Sequence, residues 1–323
     1  MKKITKRLML SSAIACAILG ATNSWAQAWP NKPIRMVVPL APGGGTDIAS
    51  RVVANFLSEA LGQQVIIENK LGANGVVGVD FASKAAPDGY TILVGSTTTM
   101  AANNFMYKNP TVDPLKDFLP VSILGTIEFA MLVPASSNYN SLRDLIGAAK
   151  ANPGKLSYGF GSSAALLCGE MFNAAAGIQI VKVPYKGTPQ SLIDLAADRI
   201  QLVCEPLGPS LPLIKSGKLR PLAVTSVNRH GLAPEVPTMA EAGLPMEHAT
   251  WAGFFVPAKT PKEIVTRLSN EIVKIMGRAE VQEKIRETGF IPRQIGSDEF
   301  GAVHRNDYSR MERIIKQAGI TPD

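Results

Sequence analysis

Three short stretches combine residues that could hold an anion. In "VVPLAPGGGTDIAS" an apolar run gives way to Pro42, Gly43, Gly44, Gly45, Thr46 and Asp47, and a helical pattern follows. A second stretch carries Ser96 and Thr97 in "LVGSTTTMAANN". A third runs Phe160, Gly161, Ser162, Ser163, Ala164 and on to Leu166. Each reads as a strand turning into a helix. A helix start exposes free N–H groups and the positive end of its dipole. Glycines let a ligand approach that backbone closely. A carboxylate fits such a place without lysine or arginine. Strand-to-helix turns are common in α/β proteins and most hold nothing, so repetition alone does not make a site.

Other chemistries fit less well. A phosphate-binding P-loop needs a lysine after its last glycine, and "APGGGTD" has none. Residues 159–164 match G-x-G-x-x-A, but the next strand, "IQIVKVPYKG", ends without the acidic residue that would hold a ribose. Ser162 and Ser163 have no evident base. His230, His248 and His304 stand far apart, and there is no G-x-S-x-G, H-E-x-x-H or C-x-x-C. The reading is therefore of a non-enzyme, with no metal and no cofactor.

The elements that carry these loops alternate. "IRMVVPL" reads as a buried strand and "TDIASRVVANFLSEALG" as a helix that Thr46 or Asp47 can cap. "QVIIEN" and "YTILVGS" are strands around a helix in "GANGVVGVDFASKAAPDG". The grammar returns with "AMLVPA", "KLSYGF", "IQIVKVPY", "QLVCEP" and "LRPLAVTS" as strands among helices, and two helical stretches close the chain. Such alternation predicts parallel α/β units in two lobes.

The first 26 residues have a different character. Lys2, Lys3, Lys6 and Arg7 precede a short apolar stretch, and Ser24-Trp25-Ala26 offers a small-x-small cleavage site. This is the layout of a secretory signal peptide cut after Ala26; lipid attachment at Cys16 fits poorly. Cleavage leaves 297 of 323 residues and lowers the net charge from +7 to about +3. That gives no reason to expect a nucleic-acid partner. Cys168 and Cys204 remain. The residues favour two buried thiols acting as small hydrophobes. The second reading is a bond between them, which an oxidising compartment permits and which would tether the third stretch's helix to the strand of Glu205.

Six stretches in order resemble one family: "PIRMVVPLAPGGGTDIASRVVA", "IIENKLGANGVVGVDFASKAAPDGYTILVGS", "VPYKGTPQSLIDL", "LPLIKSGKLRPLAVTS", "EVPTMAEAGLP" and "WAGFFVPAKTPKEIVTRL". The chain resembles the Bug-type extracytoplasmic solute receptors of tripartite tricarboxylate transporters over residues 29–320. The resemblance implies a periplasmic, monomeric Venus flytrap, type II-like, with two lobes joined by two crossing hinge strands. Lobe one would be residues 27–126 plus 252–323, and lobe two 127–251. It implies a small organic carboxylate gripped by backbone N–H groups of the first and third stretches and delivered to membrane transporter subunits. A sensing module that signals to a kinase would use the same cleft. Where the family often has His-Leu, this chain has Leu166-Leu167, and where it often has Asp-Asn, this chain has Glu205-Pro206. Leu166 and Phe160 then point to an apolar or aromatic ligand body. Glu205 would face the cleft and repel a second carboxylate, or be protonated, or turn away into a salt bridge. Lys186 in "VPYKG" is a family feature near the cleft. No lysine or arginine stands in the three loops, which disfavours citrate.

Overall fold

A computed structural model describes residues 29–317 together with 319 and 322. The leader, its cleavage after Ala26 and Cys16 lie outside the described residues. No helix among those described is long and apolar enough to cross a membrane.

The first unit opens with β1 (Ile34–Val38), α1 (Gly45–Leu61), β2 (Val65–Asn69), α2 (Val76–Ser83) and β3 (Thr91–Ser96). Ala49, Val53, Leu57 and Leu61 of α1 recur at four-residue spacing and are buried, and Gly62 ends the helix in the left-handed region at φ 66°. A π-helical turn over Thr98–Ala102, then α3 (Asn103–Met106) and α4 (Pro114–Asp117), leads to the long strand β4 (Phe118–Pro134). The second unit holds α5 (Leu142–Ala151), β5 (Ser157–Phe160), α6 (Ser163–Ala176), β6 (Val181–Pro184), α7 (Thr188–Ala196), β7 (Leu202–Pro206), α8 (Leu207–Lys215) and β8 (Leu219–Val224). Strand β9 (Ala249–Pro257) returns to the first unit. It is followed by α9 (Lys262–Met276), α10 (Ala279–Glu287), β10 (Ile291–Pro292) and α11 (Ser297–Gln317).

Strand order is β2-β1-β3-β9-β4-β7-β5-β6, with β8 and β10 also on β4. β1 is parallel to β2 and β3, and β5 is parallel to β6 and β7. β9 is antiparallel to both β3 and β4. The expected parallel units are present, and two antiparallel strands cross between them. One core draws on β1, α1, β9, α9 and α10. Another draws on the far half of β4, α5, α6 and β7. Ile127 packs against both, so β4 passes from one lobe to the other there. The molecule is a two-lobed α/β protein.

Cys168 and Cys204 are bonded, with Cα atoms 6.0 Å apart. This corrects the favoured reading of two separate thiols. Helix α6 lies on β7, so two residues 36 apart in sequence meet side by side. The bond fixes α6 to the strand that carries Glu205.

Candidate functional site

Parallel strands β1 and β3 end at one edge of the first lobe, and β5 and β7 end at the facing edge of the second. Ligands of α/β sheets bind beyond such carboxyl ends. Gly44, with φ −75° and ψ 160°, is the N-cap of α1 and no side chain caps it. The expected caps Thr46 and Asp47 lie inside the first turn instead. The first intrahelical bond runs from Ile48 N to Gly44 O at 3.0 Å, so the amides of Gly45, Thr46 and Asp47 precede it. Pro42, Gly43 and Gly44 are exposed. A side chain on Gly45 would meet the Thr288 carbonyl at 2.7 Å, which requires glycine.

Asp47 does not present a free carboxylate. It is 1% exposed. Its Oδ2 accepts from Gly43 N at 3.0 Å and from Arg51 Nε at 2.9 Å. Its Oδ1 accepts from Asn69 Nδ2 at 2.8 Å and Arg51 Nη2 at 3.1 Å. Burial acts to raise its pKa, but the bonds from Arg51, Asn69 and Gly43 outweigh burial and hold it below the usual carboxylate value. Asp47 therefore braces the loop from behind as an anion.

In the second lobe Ser162 is the N-cap of α6, and its Oγ accepts from Ala165 N at 3.2 Å. Leu166 N donates to Ser162 O at 3.0 Å, so the amides of Ser163 and Ala164 precede the first intrahelical bond. A Cβ on Gly161 would collide with the Gly187–Thr188 backbone, which only glycine allows. Gly161 N donates to Glu205 Oε1 at 3.0 Å. Thr188 Oγ1 donates to Glu205 Oε2 at 2.7 Å and Ser191 Oγ to Oε1 at 2.9 Å. Glu205 is 0% exposed. Burial raises its pKa, with the three donors pulling the other way. No salt bridge to Glu205 exists among the described residues, so its turning away into an ion pair is corrected: three neutral donors hold it instead.

Other expected residues separate. Leu166, 9% exposed, and Ala164, 8% exposed, pack in the second lobe's core. The expectation that Leu166 shapes an apolar ligand body is therefore corrected. Phe160 is half-buried, its ring 6.2 Å from that of Tyr158. Ser96 N donates to Thr99 Oγ1 at 2.9 Å, and Trp251 N donates to Thr97 Oγ1 at 3.0 Å. The hydroxyls after β3 thus close their own turn and tie it to β9. Lys186 is exposed beside Gly187. No group of three metal-ligating side chains occurs among the described residues.

Asn74 is the residue that sequence reasoning missed. It lies in a turn with φ 53°, its carbonyl accepts from Asn103 Nδ2 at 3.1 Å, and its Nδ2 donates to Ser163 Oγ across the cleft. The signal available was an asparagine set between Gly72-Ala73 and Gly75, a composition suited to left-handed backbone. On the other side, a Cβ on Gly208 at the start of α8 would lie 2.7 Å from Gly289 Cα. The two lobes therefore touch at two places, Asn74 on Ser163 and Gly289 beside Gly208.

The profile of a family described as "Tripartite tricarboxylate transporter family receptor" matches residues 49–320. The chain belongs to this family. Protein BugT of Bordetella pertussis is 33% identical over 311 residues, 95% of each chain. Among solved structures, R. palustris Rpa4515 with adipate is 36% identical with a TM-score of 0.83, covering 91% of this chain and all of that one. MatC from Rhodopseudomonas palustris with bound malate is 27% identical with a TM-score of 0.78, covering 89% and 100%. This tricarboxylate-family receptor thus has the fold of periplasmic solute-binding proteins along nearly its whole length.

Proposed function

We propose that the protein captures a small organic carboxylate in its interlobe cleft and delivers it to the membrane subunits of a tripartite tricarboxylate-type transporter. The carrying observation is that Ser163, in the first turn of α6, is met across the cleft by Asn74 of the first lobe. One ligand carboxylate takes the amides of Gly45 and Thr46 from one side and of Ser163 and Ala164 from the other. Pro42, Gly43 and Gly44 line the approach. Asp47 and Glu205 act behind the loops, as braces. The relatives bound to adipate and malate support a carboxylate of this size, and half-buried Phe160 supports an apolar stretch in its body. Lobe limits of 27–126 plus 252–323 and 127–251 agree with Ile127 packing on both cores. The processed chain, cut after Ala26, acts as a monomer in the periplasm.

Each lobe supplies half of the site, so the ligand stabilises the closed form through its added contacts. Thermal unfolding against aliphatic mono-, di- and tricarboxylates, aromatic acids and amino acids tests the reading. A ligand at about 100 times its dissociation constant adds roughly 2.7 kcal/mol, a shift of several degrees for a chain of this size. Ser163→Pro places proline at the first helical position, where it is tolerated, and deletes one amide donor. It should keep the ligand-free midpoint and lose most of the shift. A full shift in Ser163→Pro, or the largest shift from citrate, would overturn the proposal.

A further inference from the structure

Helix α6 faces two ways. Cys168 and Phe172, one turn apart, are buried in the second lobe's core, and Cys168 is bonded to β7. Ser163 and Leu167 are also one turn apart and share another face. Ser163 meets Asn74 of the first lobe. Leu167, 1% exposed, belongs to a separate apolar cluster with Ala101, Ala102, Met311 and Ile315.

The other buried members of that cluster all come from the first lobe. Ala101 and Ala102 stand on the π-helical turn, and Met311 and Ile315 lie one turn apart on α11. Both elements touch α6. The alanines stop at Cβ, so the first lobe forms a socket that one leucine of the second lobe fills. Met106 of α3 makes the reciprocal contact: it packs against this cluster and against the second lobe's core as well. Contacts of this kind have no direction. They hold two surfaces together while these meet and let them part without stranding a polar group.

We propose that Leu167 in this socket is an apolar latch. It is buried only while the lobes are closed, and it holds the ligand-free protein toward the closed form without touching the ligand. The proposal rests on the reading of two lobes that open and close around a ligand. A ligand then has to supply only the part of the closing free energy that the latch leaves. Leu167 and Met311 are thus positioning residues. Because Cys168 ties α6 to the strand of Glu205, the leucine and the helix start at Ser162 move as one body.

Labelling by a bulky maleimide, in buffer without carboxylates, tests the latch. Cys168 and Cys204 are bonded, so in the chain from residue 27 Leu167→Cys offers one free thiol on the latch and Met311→Cys one in the socket. Leu57→Cys is the reference, since Leu57 is 0% exposed in the core of the first lobe alone. Both latch thiols should react at least about a hundredfold faster than the reference, because parting of the lobes is far commoner than unfolding. Their rates should change little in dilute urea, because parting exposes less surface than unfolding does. Adding Leu167→Ala to Met311→Cys should speed labelling about fivefold, through the apolar burial lost from the closed form. The reagent is too large to enter the void that the truncated leucine leaves. Latch thiols as slow as Leu57→Cys would make Leu167 a permanent core residue and overturn the proposal. So would a urea dependence as steep as that of Leu57→Cys, which would assign the exposure to unfolding, or an unchanged rate on adding Leu167→Ala. These outcomes are independent of cargo: a thermal panel in which no carboxylate shifts the midpoint would remove the proposed ligand class and leave the latch standing.

Discussion

Asp47 and Glu205 each stand behind a helix start and accept a hydrogen bond from the glycine at the turn, Gly43 in one lobe and Gly161 in the other. Their surroundings differ. Asp47 is paired with Arg51, whose side chain is 48% exposed, so the first loop carries its own countercharge. Among the described residues Glu205 has no countercharge; Thr188 and Ser191 hydroxyls and one amide satisfy it inside the second lobe. Like backbone geometry is thus offered against unlike fields. In the proposed site a ligand carboxylate would meet a compensated brace on one side and an uncompensated buried acid on the other. On that reading the first lobe would receive carboxylate charge better than the second.

The largest effect should come from Glu205. Glu205→Ala strands the Gly161 amide and two hydroxyls in the interior, at a cost of about 3 kcal/mol or more, and frees the α6 loop, so ligand affinity falls as well. Glu205→Gln keeps an acceptor for Gly161 and lets the hydroxyls reorient, so it should cost less than half as much. Acidity separates the variants further. The folded-state pKa of Glu205 lies above its value of 4.5 in the open chain, so the folded state binds the proton more tightly. Its contribution is fully present below that open-chain value and is lost as pH rises through the raised one. Urea unfolding of wild type and Glu205→Gln across this window should show the loss in wild type alone. Equal slopes would remove the contrast.

Asp47 should be weaker and opposite in sign. Asp47→Ala leaves Gly43 N and Asn69 Nδ2 short of an acceptor at about 2 kcal/mol. Arg51→Ala should cost only about 0.5 kcal/mol, and less in salt, because the guanidinium is half in water. The folded pKa of Asp47 lies below its open-chain 3.8. Its stabilisation is therefore present above 3.8 and lost as pH falls through the lowered value. Acid unfolding of Asp47→Ala beside wild type checks this. A variant that lost stability on acidification as steeply as wild type would mean that Asp47 is not the acid-sensitive brace.

Periodicity made most of the fold legible. Four-residue spacing gives α1, and compact apolar runs give β1, β3 and β5. The first half of β4 was not legible. Pro120 and Gly125 interrupt "FLPVSILGTIEF", and the strand absorbs them as two register shifts against β9, which only pairing to a neighbour can stabilise. Pro209 and Pro212 similarly hid α8. At the cleft, the glycine loops announced themselves because backbone exposure needs glycine. Which side chains brace them did not, since Glu205, Thr188 and Gly161 meet only when β7 and β5 lie side by side. Asn74 and Ser163, 89 residues apart, meet only when two lobes meet. Leu166 misled because a residue at a loop's end was read as facing outward, whereas the helix turns it into the core.

The smallest effect should come from the contact between the lobes. Asn74→Ala and Ser163→Ala each remove one partner of a single bond that exists only while the lobes touch. Ser163→Ala keeps its amide, and with it the donor proposed for the ligand. Neither group braces a loop from behind, so stability should change by no more than about 1 kcal/mol. The bond contributes to the closed state alone, so its loss should weaken carboxylate binding by about fivefold, and the loss should appear in the dissociation rate rather than in association. The double variant should be no worse than either single one, because both delete the same bond. Stopped-flow binding of the best ligand from the thermal panel measures all three. Additive losses would mean that Asn74 and Ser163 act separately, each on the ligand, and that the two helix starts are kept facing one another by Gly208, Gly289 and the hinge alone.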